Sequence, residues 1–269
     1  MNYLSFKCLI VIFCFCVVLP IHAKNKYVPS YTLSINIDKN KKVQSEEKPK
    51  SNTIIFINDN PVTIYSKGSV ILHINRWLKP KENSISFQGD AAFSLVLNLT
   101  ETQGPEQKTI PLQEEKSADN KNIKIWFDSK ITRELPIFKA KNKIPTETKN
   151  LIPFVKKYFK LLNKGRYSKF VDLQLEGTLI WQPMADNPPL SKNQIKKFLV
   201  KQYKTNKLKI PDLDWNSIHI IKGKSTVLIY KKMSKYNSPM LCTTKMGKRE
   251  ITIPALQLAY ISNHWIIWK

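Results

Sequence analysis

Twice along the chain the spacing of apolar residues changes, and this constrains the fold more than any single motif. Tyr31, Leu33, Ile35 and Ile37 alternate with polar residues, and Phe93, Leu95, Leu97 and Leu99 repeat the pattern. Successive side chains of a strand point to opposite faces, so a period of two marks half-buried strands. Further strands are predicted at 53–57, 62–65, 69–75, 84–87 and 123–127, with Asn58-Asp59-Asn60-Pro61 as a turn. Some seven strands with no helical stretch among them describe an antiparallel β-sandwich. Two polar inserts, 39–52 and 100–122, are rich in Lys, Glu, Gln and Pro and are predicted to be loops.

Around 139–146 the composition becomes that of a linker, and beyond it the period is helical. The expected organisation is therefore a β-sandwich domain over 24–140, a linker over 141–147 and an α+β domain over 148–269. Asn150 can cap a first helix that tolerates Pro153 in its first turn, where a missing N–H has no intrahelical partner to lose. Its buried face is Leu151, Phe154, Val155, Tyr158, Leu161 and Leu162; Lys149, Lys156, Lys160 and Lys164 stay wet, and Gly165 stops it. A second helical stretch covers 166–174. Leu190-Ser191-Lys192-Asn193-Gln194-Ile195 combines a capping box with a hydrophobic staple and opens a helix that buries Ile195, Phe198, Leu199 and Tyr203. After Pro211 strands return at 217–221, 226–230, 249–253, 256–261 and 265–268.

Helices followed by antiparallel strands, closing on Leu256-Gln-Leu-Ala-Tyr-Ile-Ser-Asn-His-Trp265-Ile-Ile-Trp268, resemble the nuclear transport factor 2-like family of cone-shaped α+β domains. The resemblance covers residues 145–269 and implies a curved sheet wrapped on helices, with a pocket at the mouth of the cone. It carries no catalytic role onto any residue of this chain.

Charge divides the chain as its periods do. Residues 24–140 hold 18 Lys and Arg against 13 Asp and Glu, whereas residues 141–269 hold 25 against 7. A domain this basic attracts polyanions. Arginine, the side chain best suited to bidentate phosphate and guanine contacts, occurs only at Arg76, Arg133, Arg166 and Arg249, which argues against nucleic acid. An acidic protein is the preferred partner; an anionic membrane surface is the alternative, and a lysine-rich surface set by codon composition is the bland one.

Residues 1–23 carry one charge at Lys7, an apolar run from Cys8 to Leu19, then Pro20 and Ala23. That run of 12 residues is shorter than the roughly 20 needed to span hydrocarbon, so a secretory signal cleaved after Ala23 is expected, with a periplasmic destination. Cys8, Cys14 and Cys16 would leave with it. Cys242 alone cannot form an internal disulfide, and no cysteine-based metal site can be built.

Catalytic signatures are scarce. Gly223-Lys224-Ser225-Thr226 looks like the end of a phosphate-binding loop, but Ile218 stands where the motif needs glycine and strands flank it on both sides, so a hairpin turn is predicted. Asp212, Asp214 and His219 are the only local group that could supply a general acid and base, although two carboxylates at a strand head also commonly cap turns. Trp265 and Trp268 face opposite sides of a strand, so one is expected on an exposed edge that would suit a partner or a second copy of the chain. The resulting expectation is an exported, non-enzymatic binding protein without cofactor or metal, of the kind that includes immunity and inhibitor proteins. Lys156, Lys160, Lys164, Lys196, Lys197, Lys201 and Trp268 would meet its acidic partner. A small-pocket enzyme using Asp212, Asp214 and His219 is the rival.

Overall fold

A computed structural model describes residues 29–38, 53–65, 68–89, 94–103, 108–117, 124–139, 143–182, 190–231, 241–246, 249–253 and 255–268. The expected signal segment and the insert at 39–52 lie outside these residues. The chain is of mixed α+β class, with antiparallel sheets and, among the described residues, three α-helices.

Eight strands come first: β1 (Ser30–Asp38), β2 (Thr53–Ile57), β3 (Asn60–Tyr65), β4 (Gly68–His73), β5 (Lys81–Gly89), β6 (Ser94–Gln103), β7 (Lys108–Ser117) and β8 (Lys124–Ser129). They form two sheets, ordered β4-β1-β6-β7 and β3-β2-β5-β8. The alternating residues supply one apolar cluster, with Tyr31, Leu33 and Ile35 from one sheet and Ile55, Ile57 and Ile85 from the other, all 0% exposed. Asn58 and Asp59 both have positive φ, at 51° and 61°, as a two-residue hairpin whose twist matches its strands requires.

The stretch 100–122, expected as a loop, instead completes β6 and contains β7. Edge strand β7 is held by its backbone ladder to β6, so it needs no run of alternating apolar residues, and Pro111 sits at a register shift opposite Thr100, where a missing N–H is tolerated.

The helices are α1 (Leu151–Asn163), α2 (Tyr167–Trp181) and α3 (Lys192–Asn206). Gly165, at φ 67°, ends α1 as expected. Asn150 occupies the N-cap of α1 but its side chain makes no capping bond. At Ser191 the capping box is complete: Ser191 Oγ accepts from the Gln194 amide at 3.3 Å and Gln194 Oε1 from the Ser191 amide at 2.8 Å. Leu190 stays 42% exposed, so this box rather than a staple starts the helix. Phe198 is also largely exposed, because the buried stripe of α3 is Ile195, Leu199 and Tyr203. Helix α2 runs seven residues past the predicted Gln174, to Trp181, where it lies on the last sheet.

That sheet contains β9 (Ile218–Lys222), β10 (Thr226–Lys231), β13 (Leu256–Ile261) and β14 (His264–Ile267), ordered β14-β13-β10-β9; β11 (Cys242–Met246) and β12 (Arg249–Ile253) form a separate hairpin. Both faces of the four-stranded sheet are covered. Val227, Ile229, Leu258, Trp265 and Ile267 join the cluster with the helices, whereas Ala259, Ile261, Ile266 and Trp268 join the cluster of β1 to β8. Leu228 and Tyr230 pack with Ile64 of β3.

The contact between the β-rich first half and this sheet is polar as well as apolar. The tip of the β2–β3 hairpin sits in the β9–β10 turn. Asn60, 0% exposed, accepts through Oδ1 from the amides of Ser225 at 2.8 Å and Thr226 at 3.0 Å, and Lys224 N donates to the Asp59 carbonyl at 3.0 Å. Gln257 Nε2 donates to the Pro61 carbonyl. A Cβ on Gly223 would lie 2.4 Å from Pro61 Cδ and 2.6 Å from the Asp59 carbonyl oxygen, so only glycine permits this approach.

Candidate functional site

The helical layer carries the chain's concentrated positive charge. Its inner side is apolar and aromatic: Tyr158 of α1 stacks on Phe170 of α2 with centroids 4.4 Å apart, and Tyr203 of α3 meets Phe170 edge-on at 4.9 Å. Gln174 lies between the two phenols, with Nε2 donating to Tyr158 Oη and to Tyr203 Oη, the latter at 3.1 Å. Burial pushes the Tyr203 hydroxyl up to about 12 and the Tyr158 hydroxyl well above its ordinary value. Both therefore stay neutral, and these aromatic side chains fill the space between the three helices.

The apolar spacing that buries these side chains sends the lysines outward. Lys156, Lys157, Lys160 and Lys164 are exposed on and just after α1, as are Lys192, Lys197, Lys201 and Lys204 on α3. Lys156 Nζ stands 5.2 Å from the Trp215 ring centroid. Three nearby acids already have partners: Glu147 with Lys149 at 2.6 Å, Asp172 with Lys196 of α3 at 2.6 Å and Glu176 with His264 at 2.8 Å. Among the described residues, Lys196 is the only lysine of α1 or α3 with an ion-pair partner. It is half-buried and spent on Asp172, which sets it apart from the other expected contact lysines.

Sequence reasoning did not assemble Arg166, Lys169 and Lys204. The antiparallel turn of α1 into α2 brings the first two beside α3, where the three line a groove of about 390 Å³ with Tyr167 and Val200. Arg166 and Lys169 are 35 or more residues from Lys204 in sequence, so only the packing of α2 on α3 reveals the cluster. A second, larger cleft of about 640 Å³ is lined by Lys139, Asp172, Glu176 and Lys192 over an apolar floor that includes Leu175 and Ile261.

Asp212 and Asp214 are exposed, and Asp214 Oδ1 accepts from the Asn216 amide at 3.1 Å, capping the turn Trp215–Ser217. His219 is half-buried against the Tyr230 ring, 5.4 Å between centroids. No hydrogen bond or ion pair joins His219 to either carboxylate among the described residues, and neither groove is lined by any of the three. Trp268, expected at an exposed edge, is 2% exposed, and Trp265 is 6% exposed. The two do face opposite sides of the sheet, but a layer covers each side. Cys242 is a free, half-buried thiol that burial pushes up to about 12, far from the thiolate a nucleophile requires.

Among the described residues no group of three or more His, Cys, Asp or Glu side chains could hold a metal ion, and no helix is long and apolar enough to cross a membrane. No family model, curated protein or solved structure matches the chain.

Proposed function

We propose that this is an exported, non-enzymatic binding protein whose basic helical layer recognises an acidic protein, in the manner of an immunity or inhibitor protein. The observation that carries this reading is the set of exposed lysines on α1 and α3 that form no ion pair among the described residues. Uncompensated charge on a rigid face raises the encounter rate with an oppositely charged partner by about 10- to 1,000-fold, and the field decays over about 8 Å at physiological salt. Unlike a catalytic cleft, this surface needs no convergent acid and base. The two sheets of β1 to β8 are read as the layers of a β-sandwich, supported by the apolar cluster they share. The closing order of helices and then strands keeps the nuclear transport factor 2-like resemblance as the proposed ancestry of the second half.

The test compares the parent chain with a variant carrying Lys160→Glu, Lys164→Glu, Lys197→Glu and Lys201→Glu. Both are passed over immobilised polyglutamate and mixed with anionic vesicles at low and high salt. The parent is expected to bind polyglutamate with an association rate about tenfold or more above the variant, and to lose this advantage at high salt. An envelope extract should then yield an acidic protein retained by the parent alone. Equal retention by parent and variant, or binding to vesicles only, would overturn the reading.

A further inference from the structure

Strand β8 ends the sheet order β3-β2-β5-β8, so its ladder groups on one side meet no strand among the described residues. Its outward side chains are Lys124, Trp126 and Asp128, while Ile125 and Ser129 are buried. Trp126 is 53% exposed, and Lys124 Nζ lies over its ring at 4.4 Å from the centroid. Asp128 stands directly opposite Glu82 on β5, placing two exposed carboxylates side by side without a cation. Neither Lys124 nor Asp128 has an ion-pair partner among the described residues. Four residues of strand separate them by about 13 Å, so they cannot pair with each other within one chain.

A second copy can supply both missing partners. We infer that β8 pairs with β8 of a second copy of this chain, antiparallel and about a two-fold axis through Trp126. In that register Trp126 meets its own counterpart at the axis. Lys124 lies opposite Asp128 of the second copy, and Asp128 lies opposite Lys124 of the second copy and beside Glu82. The arrangement is isologous, because each contact occurs twice and closes on itself. The charges also specify the register. A shift of two residues one way sets Lys124 against Lys130, and a shift of one turns Trp126 to the other face.

A lysine on an edge strand commonly blunts pairing, but it does so when its counterpart repels it. Here the offset of opposite charges about a central tryptophan favours the self-pair. The inference is independent of the basic helical layer, since β8 belongs to the half with 18 cationic against 13 acidic residues.

Sedimentation velocity of the purified full chain, across roughly 1 to 500 µM at physiological salt, tests it. A concentration-dependent dimer is expected. Lys124→Asp alone and Asp128→Lys alone should each weaken it about tenfold, because each turns two attractive cross-strand pairs into repulsive ones. The double variant restores opposite charge at both positions and should return to within about threefold of the parent. Trp126→Lys should leave only monomer, with an unchanged circular dichroism spectrum because the side chain is exposed. A monomer at every concentration, a dimer indifferent to the single substitutions, or a double variant no better than the singles would overturn the inference.

Discussion

Replacing Asn60 by Ala tests whether the two halves are locked by the β2–β3 tip. In the parent, one amide oxygen satisfies the backbone N–H groups of Ser225 and Thr226, and it lies 3.3 Å from Thr226 Oγ1, another donor to it. Ser225 and Thr226 are 1% and 0% exposed, so water has no ready route to replace it. Each orphaned buried N–H costs about 1–3 kcal/mol, which for two places Asn60→Ala at about 2–6 kcal/mol of unfolding free energy. Gly223→Ala attacks the same joint from the other side by forcing a Cβ into Pro61 and the Asp59 carbonyl. Once either substitution has parted the tip from the turn, the other has less left to break. Urea unfolding followed by fluorescence should therefore give a double variant less destabilised than the two singles combined, by about 1 kcal/mol or more. If Asn60→Ala stays within about 0.5 kcal/mol of the parent, or the two effects add, the joint is not what holds the halves together.

Two other predictions concern the packing of α2. Gly177→Ala should destabilise the chain by about 2 kcal/mol or more in the same assay, although alanine is the better helix former by about 1 kcal/mol, because the added Cβ would fall 2.0 Å from the Ile267 carbonyl oxygen. A stabilised variant would show that α2 does not lie this close to β14. Glu176 accepts from His264 and raises the imidazole above its ordinary value of 6.5. The bond's contribution is therefore complete below about pH 6.5 and fades as pH rises through the higher folded value, so melting temperatures of the parent and Glu176→Gln should converge toward alkaline pH. A gap that stays constant or widens would refute the linkage; its size should be modest, since both side chains are about half exposed.

Elements with a strong local signal were legible in the sequence. The alternation from Tyr31 to Ile37 found β1, the Ser191 and Gln194 pair found the start of α3, and Gly165 found the end of α1. Elements held mainly by neighbours were not. Strand β7 offers no apolar period, β11 depends on its pairing with β12, and the last two turns of α2 depend on contact with β14. The tryptophan error has a similar origin: opposite faces were deduced correctly for Trp265 and Trp268, but sequence spacing cannot say whether a second layer covers a face. Among the candidate residues, the exposure of Lys156, Lys160, Lys164, Lys197 and Lys201 followed from helical period. The groove at Arg166, Lys169 and Lys204 needed the tertiary packing of α2 on α3, and the withdrawal of Lys196 needed the position of Asp172.

The turn Gly223-Lys224-Ser225-Thr226 shows how a sequence that resembles an anion cradle can be diverted to structure. Successive N–H groups pointing to one spot form a concavity that suits an oxygen acceptor, whether a phosphate or a neutral amide. Here Asn60 Oδ1 occupies it, and the Asp59 carbonyl takes the Lys224 N–H. A bound phosphate would have to displace both acceptors and withdraw the β2–β3 tip from the glycine it packs against. The turn is thus committed to joining the halves, and the positive charge on which the proposed recognition rests lies elsewhere. Eleven of the 25 cations of the second half lie on α1, on α3 or at or beside the α1–α2 turn, where few acids compete for them among the described residues. A polar and apolar joint to the first half and a charged helical layer follow from the same fact: both faces of that sheet are buried, so its strands are spent on packing, and the recognition proposed above is left to the outer surfaces of the layers it holds.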